Sequence, residues 1–236
     1  MIAAAIRALV AGLEREVEPG YRAMAAINWG NVDAVGEESP FVRTINAAVL
    51  QYIPSCREVL SSLYFRNFCD KFAAAFCPAF LALLQKQRRI SEEGTQQLLL
   101  DVYNLKKMML ELPRIGRDPD GPDVAVPISY RKYVEKHMSK IERLLKLVAT
   151  PPGMLIEHFR MMWPEGGTKE LQIVMALKGM KRQDQINLLE MFGGGSSTLD
   201  DAEASEDLKA RLNKGMKDGL DNFQKMGMGS IKAFRS

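Results

Sequence analysis

Residues able to do acid, base, nucleophilic or metal chemistry are sparse in this 236-residue chain, and their spacing pairs none of them. The two histidines, His137 and His158, fall on different helical stretches. Neither has a carboxylate or cysteine at ligand spacing, so both read as partly exposed structural residues. Cys56, Cys69 and Cys77 are odd in number and form no CxxC pair. They read as buried free thiols of a reducing compartment. No HExxH or GxSxG motif occurs, and Asp101 and Glu111 lie on opposite parts of one helix, so no carboxylate pair can be assembled. The glycine clusters near Gly193 and Gly227 neither follow a strand nor carry a phosphate-binding lysine. An enzyme is not expected, and neither is a metal or a cofactor.

The basic residues offer chemistry of another kind. Lys132, Lys136, Lys140 and Arg143 step by four, four and three along one helix, opposite its apolar stripe. That spacing builds a positive ridge flanked by Glu135 and Glu142, which serves either as a solvated face or as a contact for an acidic partner or anionic lipid. Lys178, Lys181 and Arg182 form a second small cluster with the same two readings. The net charge of +3 is far below the balance of a dedicated nucleic-acid binder, so no nucleic acid is expected as a partner.

Helices must position these residues. From Phe65 to Pro113 two amphipathic runs flank a polar turn at Arg88 to Glu93. Phe65, Phe68, Phe72, Phe76, Phe80 and Leu83 share one side of the first run, and Leu98, Val102, Leu105, Met109 and Leu112 form a narrow seam on the second. The pair reads as an antiparallel hairpin, with Ser91 capping the second helix and Pro113 ending it. Upstream, a helix over residues 2 to 18 is expected to stop near Pro19 and Gly20, with a short helical stretch from Tyr21 to Ile27 after it. A longer helix starts at Ser39 and Pro40 and runs to about Gln85, kinked or broken at Pro54 and Pro78, where each proline costs about 3 kcal/mol.

Downstream of a surface loop from Arg114 to Pro127, Ser129 is expected to cap a helix whose buried stripe is Tyr130, Val134, Met138, Ile141, Leu145 and Val148. Three shorter helices follow, near Met154 to Met162, Thr168 to Lys178 and Arg182 to Phe192. Beyond Gly193 the sequence turns polar and glycine-rich and reads as a tail without fixed fold, apart from a weak helix around Glu203 to Lys214. No segment alternates with a period of two, so the class is all-α. The expected organisation is a main bundle over 1–150, a small helical bundle over 151–192 and a flexible tail over 193–236. Because no apolar run reaches about 18 residues, any membrane contact is expected to be peripheral.

Five segments carry a resemblance to a known family: FVRTINAAVLQYIP from Phe41, NFCDKFAAAF from Asn67, QQLLLDVYNLKKMMLELP from Gln96, SYRKYVEKHMSKIERLLKLVATPP from Ser129 and LKGMKRQDQINLLEMF from Leu177. In this order and spacing they resemble the C-terminal part of the vacuolar protein sorting-associated protein fifty-three family, over about Leu13 to Phe192. The family's subunit is shared by the Golgi-associated retrograde protein (GARP) complex and its endosomal relative (EARP). The resemblance implies an elongated rod of stacked antiparallel helical bundles, of the kind found in tethering complexes.

It also implies a non-enzymatic subunit, or fragment of one, that acts in retrograde vesicle transport from endosomes to the trans-Golgi network and in endosomal recycling. The expected partners are the other GARP and EARP subunits, fusion (SNARE) proteins, small GTPases and anionic membrane. The expected location is the cytosol and, peripherally, the cytosolic face of trans-Golgi network and endosome membranes. The resemblance places this chain inside the family's C-terminal half, without the N-terminal portion in which coiled-coil contacts with sister subunits are expected. The alternative is a stand-alone helical adaptor that joins no tether.

Overall fold

A computed structural model of the chain describes residues 2–117 and 125–193. Among the described residues there are eight α-helices, two short 3-10 turns and no strand. The helices are α1 (Ile2–Ala26), α2 (Pro40–Val59), α3 (Ser62–Gln85), α4 (Glu92–Glu111), α5 (Ile128–Ala149), α6 (Leu155–Met162), α7 (Thr168–Leu177) and α8 (Arg182–Gly193). The expected tail beyond Gly193, with its weak helix around Glu203 to Lys214, lies outside the described residues, as do residues 118–124 of the loop before α5. The described residues divide into two units, with the boundary between Lys181 and Arg182. The first extends past the expected boundary at residue 150 because α6 and α7 both pack on α5. In the second, α8 is a two-faced but shallow helix with no buried side chain.

Helices α1 to α5 alternate in direction and close into a ring in the order α2, α1, α3, α5, α4 and back to α2. The phenylalanine run and the leucine seam are both buried as their spacing predicts, with Phe65 through Phe80 at 3% exposure or less and Leu98 through Leu112 at 0%. They do not, however, form a hairpin of mutual partners. Helix α3 lies against α1 and α5, and α4 against α5 and α2. The aromatic row is too broad for one neighbour: Phe76 meets Tyr21 of α1 at 5.8 Å between ring centroids, and Phe80 stacks on Phe41 of α2 at 6.3 Å. The row ends at buried Leu84, one residue after the expected Leu83, because steps of four from Phe76 and Phe80 lead there. Helix α3 is also long and apolar enough to cross a membrane by length and composition alone, but its aromatic row faces this protein core.

Prolines interrupt less than their intrinsic cost suggests. Pro19 lies inside α1, which continues to Ala26 without the expected stop. Its ring is on the exposed face, while Val17, Gly20 and Met24 carry the buried stripe onward. The close approach at Gly20, where a Cβ would come within 2.4 Å of Ile45, lets α1 and α2 pack tightly enough to offset the missing hydrogen bond. Pro54 and Pro78 are likewise inside α2 and α3. The one break between Pro40 and Gln85 falls at Leu60 and Ser61, whose backbones are extended. Arg57 holds that elbow shut. It donates to the carbonyls of Pro113 at 2.6 Å and Ile115 at 2.7 Å, and its guanidinium lies 4.0 Å from the centroid of Phe65.

Capping follows charge as well as sequence. Ser91 accepts from the Gly94 amide at 3.0 Å, as expected of an N-cap, whereas α5 begins two residues early at Ile128 with Pro127 at the cap, leaving Ser129 inside the first turn. At the start of α2 the acceptor comes from another helix. The Asp101 carboxylate of α4, fully buried, accepts from the Ser39 amide at 2.8 Å and the Ser39 hydroxyl at 2.6 Å. Gln97 donates to the same carboxylate at 3.3 Å and to the Glu37 carbonyl at 2.8 Å, and accepts from the Gly36 amide at 3.0 Å. A carboxylate at a helix N-terminus satisfies free amides and opposes the positive end of the helix dipole. It also fastens the 31–39 loop to α4.

The same end of the ring is sealed by main chain. Ile90 N–H donates to the Leu177 carbonyl at 2.8 Å and Ser91 N–H to the Trp29 carbonyl at 2.9 Å, so the ends of α1 and α7 meet the start of α4. Gly94 makes this possible, since a Cβ there would stand 2.2 Å from the Trp29 carbonyl oxygen. Gly94→Ala is therefore expected to lower stability by about 1–3 kcal/mol in thermal or urea unfolding, as overpacking against rigid backbone does. Gly153→Ala, with nothing within 4 Å, should be near neutral. For Asp101, burial pushes the carboxyl above its ordinary 3.8, while bonds from Ser39 and Gln97 pull it back. A raised folded-state value means that the folded protein holds the proton more tightly, so this group favours folding below 3.8 and loses that contribution as pH rises through the raised value. The stability difference between wild type and Asp101→Asn should accordingly shrink from the acid side toward neutrality, and Asp101→Ala should cost about 1–3 kcal/mol by orphaning the Ser39 amide.

Candidate partner-binding surface

The buried stripe of α5 is the one its spacing predicts: Tyr130, Val134, Met138, Ile141, Leu145 and Val148, joined by Leu144 and Leu147. Tyr130 anchors the helix by donating its hydroxyl to the Met109 carbonyl of α4 at 2.6 Å. On the other side, Lys106 of α4 pairs with Glu142 at 2.9 Å, each side chain about a quarter exposed. This removes one of the two acids beside the basic ridge.

The ridge itself divides. Lys132 and Lys136 are exposed. Lys140 and Arg143 are half-buried and lean over the Trp163 ring that follows α6, at 5.3 and 5.7 Å from its centroid. Arg143 also donates to the Met162 carbonyl at 3.1 Å and pairs with Glu165 at 3.3 Å. Two of the four cations thus hold the end of α6 against α5, and the other two are free to meet solvent or a partner. Trp163, 4% exposed, is the residue that spacing within α5 does not reveal. Its only sequence signal is a position just before the Pro164 to Gly167 turn.

The second basic cluster divides in the same way. Lys178 donates to the carbonyls of Val148 and Thr150, each at 2.6 Å, and so neutralises the negative end of α5. Burial lowers the pKa of this ammonium, and Glu92 opposes the shift. Lys181 and Arg182 are exposed, at the end of the first unit and the start of the second.

The remaining reactive groups are structural in their surroundings. His137 stacks on Tyr133 at 4.0 Å, and its Nδ1 lies 2.8 Å from the Tyr133 carbonyl, which can only accept, so Nδ1 carries the proton. His158 Nδ1 lies 3.5 Å from the Thr150 hydroxyl. The three cysteines are buried, and burial pushes their thiols up to about 11 for Cys56 and about 12 for Cys69 and Cys77, so thiolate is scarce at neutral pH. No group of His, Cys, Asp and Glu able to hold a metal ion occurs among the described residues.

This division separates fold from surface. Lys178→Met, which keeps the aliphatic stem, should cost about 1–3 kcal/mol in urea unfolding because two carbonyls lose a charged donor. Charge reversal of Lys132 and Lys136 should change stability by no more than about 0.5 kcal/mol, as exposed substitutions do.

Residues 96–180 match the family model for the vacuolar protein sorting-associated protein 53 C-terminus. The chain is 34% identical over 192 residues to vacuolar protein sorting-associated protein 53 A of Arabidopsis thaliana, an alignment covering 81% of this chain and 23% of that protein. The vacuolar protein sorting-associated protein 53 homolog of Caenorhabditis elegans is 31% identical over 214 residues, covering 88% of this chain and 26% of its own. The chain thus spans about a quarter of the length of these relatives. No solved structure matches it. The family's C-terminal segment runs from α4 to just past α7 within a similarity that takes in most of the chain, and the chain belongs to the vacuolar protein sorting-associated protein 53 family.

Proposed function

We propose that the chain works as a non-enzymatic part of a multisubunit vesicle tether of the GARP and EARP type. Its role is retrograde transport from endosomes to the trans-Golgi network and endosomal recycling. The observation that carries this reading is the similarity, over most of the chain, to proteins named for vacuolar protein sorting. The surface agrees with it: the outward cations Lys132 and Lys136 sit on a helix that an ion pair and a buried tyrosine hydroxyl fasten to α4. Work of this kind needs several modest contacts held at fixed positions, because linked weak sites bind far more tightly than each alone. The partners are the sister subunits, with SNARE proteins, small GTPases and anionic membrane as further contacts. The site of action is the cytosolic face of trans-Golgi network and endosome membranes.

Affinity purification of the tagged full chain from cells tests this directly. The sister tether subunits are expected among the captured proteins, and their absence would leave a stand-alone adaptor as the better account. Reversing Lys132 and Lys136 together should weaken capture of one partner, or flotation with vesicles containing anionic lipid, in a salt-dependent way. If both readouts are indifferent to the reversal, the ridge has no part in binding.

A further inference from the structure

Helices α1 and α2 do not keep one distance along their length. At Gly20 of α1 an added Cβ would collide with Ile45 and stand 3.2 Å from the Phe41 carbonyl oxygen, so the two backbones nearly touch. At Gly12, about two turns earlier, a Cβ would meet the hydroxyl of Tyr52, which donates to the Leu9 carbonyl at 3.1 Å. Contact has passed from the backbone of α2 to the tip of a tyrosine, and the helices part toward the start of α1. Between them runs a groove of about 470 Å³.

Its chemistry is graded from one end to the other. Gly20 opposite Ile45 and Gly12 opposite Tyr52 set an antiparallel register, in which Glu16 comes level with Ala48 and Leu9 with Cys56. Leu9, Cys56 and Val59 make the end nearer the elbow apolar, since burial pushes the Cys56 thiol up to about 11 and keeps it uncharged. Toward the other end stand the Glu16 carboxylate and the small Ala48 side chain, with Gln51 and Ser55 offering hydrogen bonds along the rim. Glu16, Gln51 and Ser55 are exposed and make no hydrogen bond or ion pair among the described residues. No lining residue is a cation.

These features indicate the occupant. A pocket for a free small molecule encloses most of it. This groove is open along one side, where Glu16, Gln51, Ser55 and Val59 meet solvent, so what fits it is a stretch of a larger chain that brings its own cover. An acid with no cation beside it in the lining repels anionic headgroups and favours a basic side chain. The seven-residue step from Leu9 to Glu16 covers about 10 Å of helix, which an arginine next to an aliphatic residue can reach.

We propose that the groove between α1 and α2 docks a linear segment of a partner protein in which an aliphatic residue adjoins an arginine or lysine. The aliphatic side chain enters between Leu9, Cys56 and Val59, and the cation meets Glu16. The site is separate from the outward cations of α5, and its occupancy does not depend on a tethering role.

Titration of the ¹⁵N-labelled full chain with two probes, acetyl-leucyl-arginine amide and acetyl-leucyl-glutamic acid amide, tests this through amide chemical shifts at low salt. The arginyl probe is expected to give saturable shifts confined to the facing turns of α1 and α2, and the glutamyl probe to bind about threefold or more weakly, as an exposed charge contact allows. Glu16→Lys, an exposed substitution that leaves the core alone, should reverse that order. Ser55→Trp, which fills the groove from its rim, should abolish binding of both probes, and Gln51→Trp takes its place if the first variant loses its helical circular-dichroism signal. Shifts that do not saturate, that centre on another face, or whose order Glu16→Lys leaves unchanged would overturn the proposal.

Discussion

The phenylalanine row of α3 is what the first unit is built around. Burying each such ring is worth about 1.5–3 kcal/mol, but a row of this breadth cannot be covered by one neighbouring helix. The rings therefore draw in α1, α2 and α5, and α4 closes the remaining gap between α5 and α2. Glycine lets the first of these contacts be close: at Gly20 the backbone of α1 rests against Ile45. The seam on α4 packs against α5, whose buried residues also face α3, α6 and α7. Polar fastening is secondary in area but decides the ends, where Asp101, Arg57 and Lys178 each supply a charge to main-chain groups left over by a helix terminus.

Local pattern reveals which residues are inside and leaves open which helix they face. Every expected member of the stripes on α4 and α5 is legible because a period near 3.6 is a property of the sequence alone. The partner of each stripe is not, since adjacency in the chain makes a hairpin of α3 and α4 the simplest guess. Pro19, Pro54 and Pro78 advertise in sequence only the hydrogen bond they forfeit. Tertiary packing outweighs that cost in each of the three helices. The actual break, at Leu60 and Ser61, lacks any strong signal, and Ser61 makes no side-chain cap there.

The basic residues show the same limit from the side of function. Spacing places Lys132, Lys136, Lys140 and Arg143 on one ridge but does not tell which of them the fold itself consumes. Trp163 and the Met162 carbonyl take the last two, and the end of α5 takes Lys178. The remainder, Lys132 and Lys136 on α5, is a smaller set of outward cations than a ridge of four. The ion pair from Lys106 to Glu142 and the Tyr130 anchor fasten α5 to α4 beneath them.

The main-chain bond between Ile90 and Leu177 has a temporal side. A ribosome delivers about 5–20 residues each second, so α4 emerges on the order of ten seconds before α7 does. Through that interval the Ile90 amide has no partner of its own chain, and the crown of the nascent bundle stands ajar. The end of α7 thus closes on the start of α4 only after all the chain between them has been made, which makes this stretch of translation the period when a chaperone has something to hold and a protease something to cut.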